Sequence, residues 1–295
     1  MNTKDIFNFN RFGKYFVSDL RTCAANYGLS LLTLAVLTPL ALECITGVFN
    51  MILGLTWEGA GIGMRAGIFG VAMFCMIVTM PSKCYGRLTD KQYGSFWLML
   101  PASRLEKFIS MMLICCIVAP FISICMYLGI DAVLCAIDHT CGENIIAGAL
   151  NMMDEFTTFK MNLGGTDIEI SEEYIMMYEN ASKFIDQVTN PWLYVDELLC
   201  ASLPFVLGAI CFKKGKIVKT FLALAALSTA ASMLATPIMM GYMGDLMAAS
   251  EDEVMKMMFE SGFYNSLIWM DIVGDFILYG GMTVAVWFRL KTLKH

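Results

Sequence analysis

The sequence predicts an all-α polytopic membrane protein. Six transmembrane helices are expected, with an amphipathic interfacial helix before them and a helical extracytoplasmic loop between the third and fourth. Three observations carry this. The 295 residues are 58% hydrophobic and 16% charged, with mean hydropathy +0.64, against about 25% charged in ordinary globular chains. Six apolar stretches reach the roughly 20 residues a helix needs to cross about 30 Å of hydrocarbon. Most Lys and Arg collect in alternate loops. A net charge of -6 and a pI near 5.0 argue against a nucleic-acid partner, which wants a basic face.

Residues 1–28 read as the interfacial helix. Phe9, Phe12, Phe16, Leu20, Cys23 and Tyr27 recur every three or four positions, opposite Arg11, Lys14, Ser18, Arg21 and Thr22. Aromatics on one face and bases on the other suit a helix lying in the membrane surface. The six-span domain, 29–295, then follows, with spans at 29–55, 62–80, 108–130, 193–212, 220–243 and 266–288. The first is expected to be retained rather than cleaved, because the charged region extends to Arg21 and the apolar run is longer than a signal core. Pro39, Pro120, Pro204 and Pro237 are each expected to interrupt a span, which membranes tolerate when neighbours satisfy the freed carbonyls. Gly59, Gly63 and Gly67, and Ala223, Ala231 and Ala235, fall at four-residue multiples that suit close helix packing.

The bases set the orientation. Lys4, Arg11, Lys14 and Arg21 precede the first span; Lys83, Arg87, Lys91, Arg104 and Lys107 lie between the second and third. Lys213, Lys214, Lys216 and Lys219 join the fourth and fifth, and Arg289, Lys291 and Lys294 follow the sixth. These are sixteen of the 20 bases. By the positive-inside rule both termini are expected in the cytoplasm, with the chain in the cell membrane. The loop at 131–192 is acidic. Within it Ser171 is placed to cap a helix with Tyr174, Tyr178, Ala181, Phe184, Ile185 and Val188 on one face. Gly164-Gly165 is its expected turn, and Asn190-Pro191 its break.

Enzyme chemistry finds little to work with. Two histidines, His139 and His295, leave no HExxH-type metal centre, and no GxSxG is present. Gly215-Lys216 is followed by Ile217 and lacks the upstream glycine of a P-loop. No catalytic residue and no cofactor are therefore expected. The eleven cysteines mostly sit in apolar runs and read as small buried hydrophobes. Cys135 and Cys141 are placed to pair in an oxidising compartment. Asp131, Cys135 and His139 have the spacing of a metal trio, but the set mixes hard and soft ligands and lacks a fourth. A loop-helix surface is the better reading there.

Three acids fall inside spans: Glu43, Asp271 and Asp275. Such residues face a bundle interior or an aqueous cavity. They either line a transport path or proton relay, or they pack as protonated or hydrogen-bonded groups, with Arg65 as one available partner. Both readings stay open.

The segment 81–107 is the most distinctive. Thr89 to Gln92 and Ser103 to Glu106 each have the form of a capping box. Between them Gly94-Ser95-Phe96-Trp97-Leu98-Met99-Leu100-Pro101 reads as a short helix stopped at the proline. Phe96 and Trp97 require burial, either in another protein's groove or against the chain's own bundle.

From Asp90 to Ser95, and from Leu98 through Pro101, Ser103, Arg104 and Glu106, this segment resembles the cytoplasmic loop of ABC-2-type ABC exporter permeases. In that family a charged stretch and Gly-Thr/Ser precede a Leu-Pro-x-Ser/Thr-Arg-x-Glu run leading into the third span. The six-span order, the interfacial first helix and a larger outer loop extend the likeness. Ser110-Met111 stand where the family commonly has Gly-Lys, and the larger outer loop lies earlier in the chain than is usual there. The resemblance implies a permease dimer, of two copies or of a copy and a paralogue. It also implies a cytosolic ATPase subunit pushing on residues 94–101. The alternatives weighed beside it are an ion-coupled secondary transporter using Glu43, Asp271 and Asp275, and a non-transporting membrane scaffold or regulator.

Overall fold

A computed structural model of the chain describes residues 7–151, 200–248 and 261–292. Their regular structure is entirely helical, with no strand among the described residues. Five helical stretches, Phe9–Ile52, Ile62–Thr89, Arg104–Ile137, Lys216–Met233 and Ile272–Thr292, are long and apolar enough to cross a membrane. The chain is a membrane-embedded helical protein. The expected fourth span enters the described residues only at Cys200, and the helix expected from Ser171, with its Gly164-Gly165 turn, lies outside them.

Helix α1 (Phe9–Ile52) runs 44 residues without interruption, where the sequence predicts an interfacial helix followed by a separate span. The reason is phase. Its buried residues, Tyr15, Cys23, Tyr27, Ala35, Pro39, Glu43 and Gly47, are spaced in multiples of four, so the aromatic stripe and the span's inward stripe form one row. The same face continues onto the bundle, and nothing favours a break at Gly28. At about 1.5 Å per residue, the helix is far longer than the hydrocarbon is thick, so one helix is long enough to serve both segments. Phe16 and Leu20 pack on the protein's own core rather than facing lipid headgroups.

Helix α2 (Ile62–Cys84) packs against α1 and is followed by a 3-10 turn, Gly86–Thr89. Helix α3 (Lys91–Met99) then stops because Leu100, ahead of Pro101, is forced to extended ψ 137°. Its N-cap is Asp90, with no side-chain cap bond, which corrects the capping box expected from Thr89. The Thr89 hydroxyl instead donates to the Gly86 carbonyl at 3.0 Å. The second box forms as expected. Ser103 and Glu106 cap helix α4 (Arg104–Leu113) reciprocally.

A π turn, Ile114–Val118, joins α4 to α5 (Ala119–Ile137). Pro120 lacks the N–H that an α-helix needs at that position. The turn before it widens, and the Ala119 N–H reaches back five residues to the Ile114 carbonyl. Pro204 also stands beside a break in the helix. It lies in the first turn of α6 (Leu203–Cys211), where a missing N–H is no loss, and the chain breaks just ahead of it, between helical Cys200 and Leu203. Helices α7 (Lys216–Ala248) and α8 (Ser261–Thr292) complete the described bundle.

Short α6 sits at the centre, packed on α2, α7 and α8. Met76, Met111, Ile114, Val206, Ile210 and Leu290 form the inner core and are at most 2% exposed. In lipid such packing is held by dispersion rather than by expulsion of water. Gly208 lets α6 and α7 approach, since a Cβ there would stand 1.8 Å from the Thr220 hydroxyl oxygen. The glycines expected to form one packing row do not do so: Gly59 lies before α2, in irregular chain, and only Gly63 and Gly67 are on the helix. A Cβ at Gly59 would meet Cys141, whereas Gly63 and Gly67 have nothing within 4 Å.

Candidate functional site: the platform at the basic end of the bundle

Segment 85–107 lies at the end of the bundle where the basic loops gather, and almost every neighbouring helix ties to it. Glu106, fully buried, is the main knot. It accepts from Arg11 Nε at 2.9 Å, Arg11 Nη2 at 2.8 Å, the Asn8 N–H at 2.9 Å and the Ser103 N–H at 2.8 Å. The capping-box carboxylate thereby also fastens the start of α1. Burial pushes the Glu106 carboxyl up, and Arg11 with the Asn8 and Ser103 amides outweighs it, leaving the group below its ordinary value.

Asp19 makes the second knot, accepting from Ser110 at 2.7 Å and Tyr85 at 3.0 Å, and so ties α1 to α4 and to the end of α2. Lys216 Nζ, at the start of α7, donates to the Gly86 carbonyl and to Thr89 Oγ1. Arg104 Nη1 donates to the Lys291 carbonyl of α8 at 2.9 Å. Lys107, 2% exposed, donates to the Trp97 carbonyl at 2.7 Å, and its ammonium stands 4.8 Å from the indole centroid. Burial, helped by Arg104 and opposed by Glu106, holds Lys107 down at about 8.

These ties orient α3. Tyr93, Trp97 and Leu100 turn into the core, with Trp97 at 5% exposure, while Phe96 at 62% and Met99 at 80% turn outward. Gln92 is exposed one turn before Phe96, so positions 92, 96 and 99 make one open face. The two aromatic rings that the sequence offered together are therefore divided between the two readings: Trp97 belongs to the protein's own bundle, and Phe96 to the surface. Gly94 is buried, Ser95 half-buried and Pro101 exposed. Leu98 lies on α3, but its side chain is outside the described residues.

The acids within the spans do not gather with the platform. Glu43 is buried at the opposite end, where its Oε2 accepts the Ala60 N–H at 2.8 Å and its Oε1 has no hydrogen-bond partner among the described residues. Arg65 is not its ion-pair partner. The guanidinium pairs with Asp131 at 3.1 Å, contacts Cys135 Sγ, and donates to the Cys141 and Glu143 carbonyls. Asp131 and Cys135 thus face a cation supplied by α2, while His139 is exposed, which dissolves the metal trio. Cys135 and Cys141 are free thiols. No group of three metal-ligating side chains stands together among the described residues. Asp275 is half-buried on α8, and the Asp271 side chain is outside the described residues.

Asp19, Asn8, Lys107, Lys216 and Tyr85 are the platform residues that sequence reasoning missed. The available signal was Asp19, an acid one turn from both Tyr15 and Cys23 in the mostly apolar row of α1. No family model, curated protein or solved structure matches the chain.

Proposed function

We propose that the chain is the membrane-spanning permease subunit of an ATP-driven exporter of the ABC-2 type, working as a dimer and driven by a separate cytosolic ATPase. One observation carries the reading. The segment that resembles the coupling loop is bound into the bundle through Glu106, Asp19 and Lys216, yet it leaves Phe96 and Met99 uncovered. A push on that exposed face reaches α4 through the Ser103 cap and α1 through Arg11, because each tie is short and buried at one end. The orientation follows the bases, with the platform and both termini cytoplasmic.

Co-purification tests it. In mild detergent from its native cells the chain is expected to carry a cytosolic ATPase with it, and Phe96→Ala with Met99→Ala is expected to release the ATPase without changing the melting temperature. Absence of any ATPase from the wild-type preparation, or unchanged retention by the double variant, overturns the reading.

An ion-coupled transporter is the second reading, favoured by the unpartnered Glu43 Oε1 buried in a span. Flux driven by a pH gradient without ATPase, and abolished by Glu43→Gln, distinguishes it from the first.

A further inference from the structure

A cavity of about 620 Å³ opens between α2, α5 and the helical turns at 145–151. Gly70, Phe74, Ile77, Leu128, Ile146 and Leu150 line it, all without a polar side-chain atom. Phe74, Ile146 and Leu150 are 55%, 47% and 58% exposed, so the cavity is open at its rim, and α2 and α5 beneath it belong to stretches long and apolar enough to span a membrane. Its volume is within the roughly 300 to 1,000 Å³ of small-molecule sites. The chain folds over it by design of its polar neighbours. Arg65 holds the Cys141 and Glu143 carbonyls, and Asp131 accepts the Ile145 N–H at 2.8 Å. These bonds turn the segment after α5 back against α2, where Gly148 packs on Ile62.

We infer that one acyl chain of a bilayer phospholipid occupies this cleft. Water is excluded as a filling, because an apolar cavity offers it no hydrogen bonds and the hydrocarbon region contains almost none. An empty cleft forfeits dispersion contacts along its whole lining. A bilayer supplies hydrocarbon at this opening, and a flexible chain follows its concave apolar lining. Gly70 widens the slot, since a Cβ at that position meets nothing within 4 Å. The inference stands independently of the transport reading.

Gly70→Phe is the test, because its Cβ meets nothing within 4 Å and its ring is placed at the cleft. Native mass spectrometry of wild-type protein from mild detergent is expected to show a phospholipid mass retained per chain, with the Gly70→Phe variant losing about tenfold in apparent affinity at unchanged helicity. A phospholipid carrying a photoreactive group in its acyl chain gives an arm that needs no variant. Its label is expected on peptides holding Phe74 and Leu150. Several results overturn the assignment: no retained lipid, equal retention by both proteins, a retained free fatty acid, a dimer that buries Gly70 in place of lipid, or label spread evenly over α7 and α8.

Discussion

Arg11 and Glu106 stand 95 residues apart in sequence and meet through three hydrogen bonds of 3.1 Å or less. The same carboxylate caps α4 and receives the Asn8 N–H. One buried side chain therefore fixes the start of the longest helix to the start of the helix behind the α3 platform. Glu106→Ala strands the Ser103 and Asn8 amides and is expected to destabilise by about 1–3 kcal/mol. Arg11→Ala is expected to cost less, because the Arg11 side chain is 37% exposed and water replaces it. Melting curves in detergent check the order; a larger loss for Arg11→Ala contradicts it.

The same knot predicts an acid limit. The folded Glu106 carboxyl lies below its unfolded value, which is about 4.3, so its contribution is complete above that pH. It disappears as pH falls through the lower folded value. Melting temperature is expected to drop on acidification below about pH 4.3 more steeply in wild type than in Glu106→Gln, which has no carboxyl to protonate. Parallel pH profiles for the two proteins exclude this carboxylate as the source.

Trp97 and Phe96 are neighbours with opposite fates. Trp97→Ala opens a hole beneath Lys107 and is expected to destabilise by about 3–5 kcal/mol, whereas Phe96→Ala is expected to stay within about 0.5 kcal/mol of wild type. Melting curves for the two single variants decide this, and similar losses contradict the division of the α3 faces.

At the other end, Arg65 and Asp131 are each at most 2% exposed. Arg65→Ala leaves Asp131 buried and uncompensated, a change expected to cost about 3–5 kcal/mol. Replacing the pair together with Met and Leu is expected to recover most of that loss. A double variant no better than the single assigns the loss to the Arg65 contacts with the Cys141 and Glu143 carbonyls instead.

Much of this architecture is written in local pattern. Apolar run length marks α2, α7 and α8, and the Ser103 to Glu106 spacing marks the cap of α4, because both are properties of neighbouring residues on one helix. Pro101 marks the end of α3 for the same reason. What local pattern leaves out is partnership across the chain. Glu106 is legible as a cap, but its bond to Arg11 depends on how α1 lies over α4. Thr89 has the form of a cap and is diverted to Gly86 and Lys216 once the 3-10 turn forms. The continuity of α1 was readable from its four-residue spacing, but the change from basic to apolar surroundings at Gly28 masked it.

The π turn at Ile114–Val118 has a consequence for how the two ends of the protein face one another. The inward row of α4 and α5 runs Glu106, Ser110, Ile114, Ala119, Ser123, Tyr127, Asp131, four residues at each step except across the widened turn, where it is five. A regular helix would swing the row around its axis at that step; the wider turn absorbs the extra residue. Buried Glu106 and Asp131 consequently stand at the two ends of one continuous inward row, which links the platform to the Arg65 cluster.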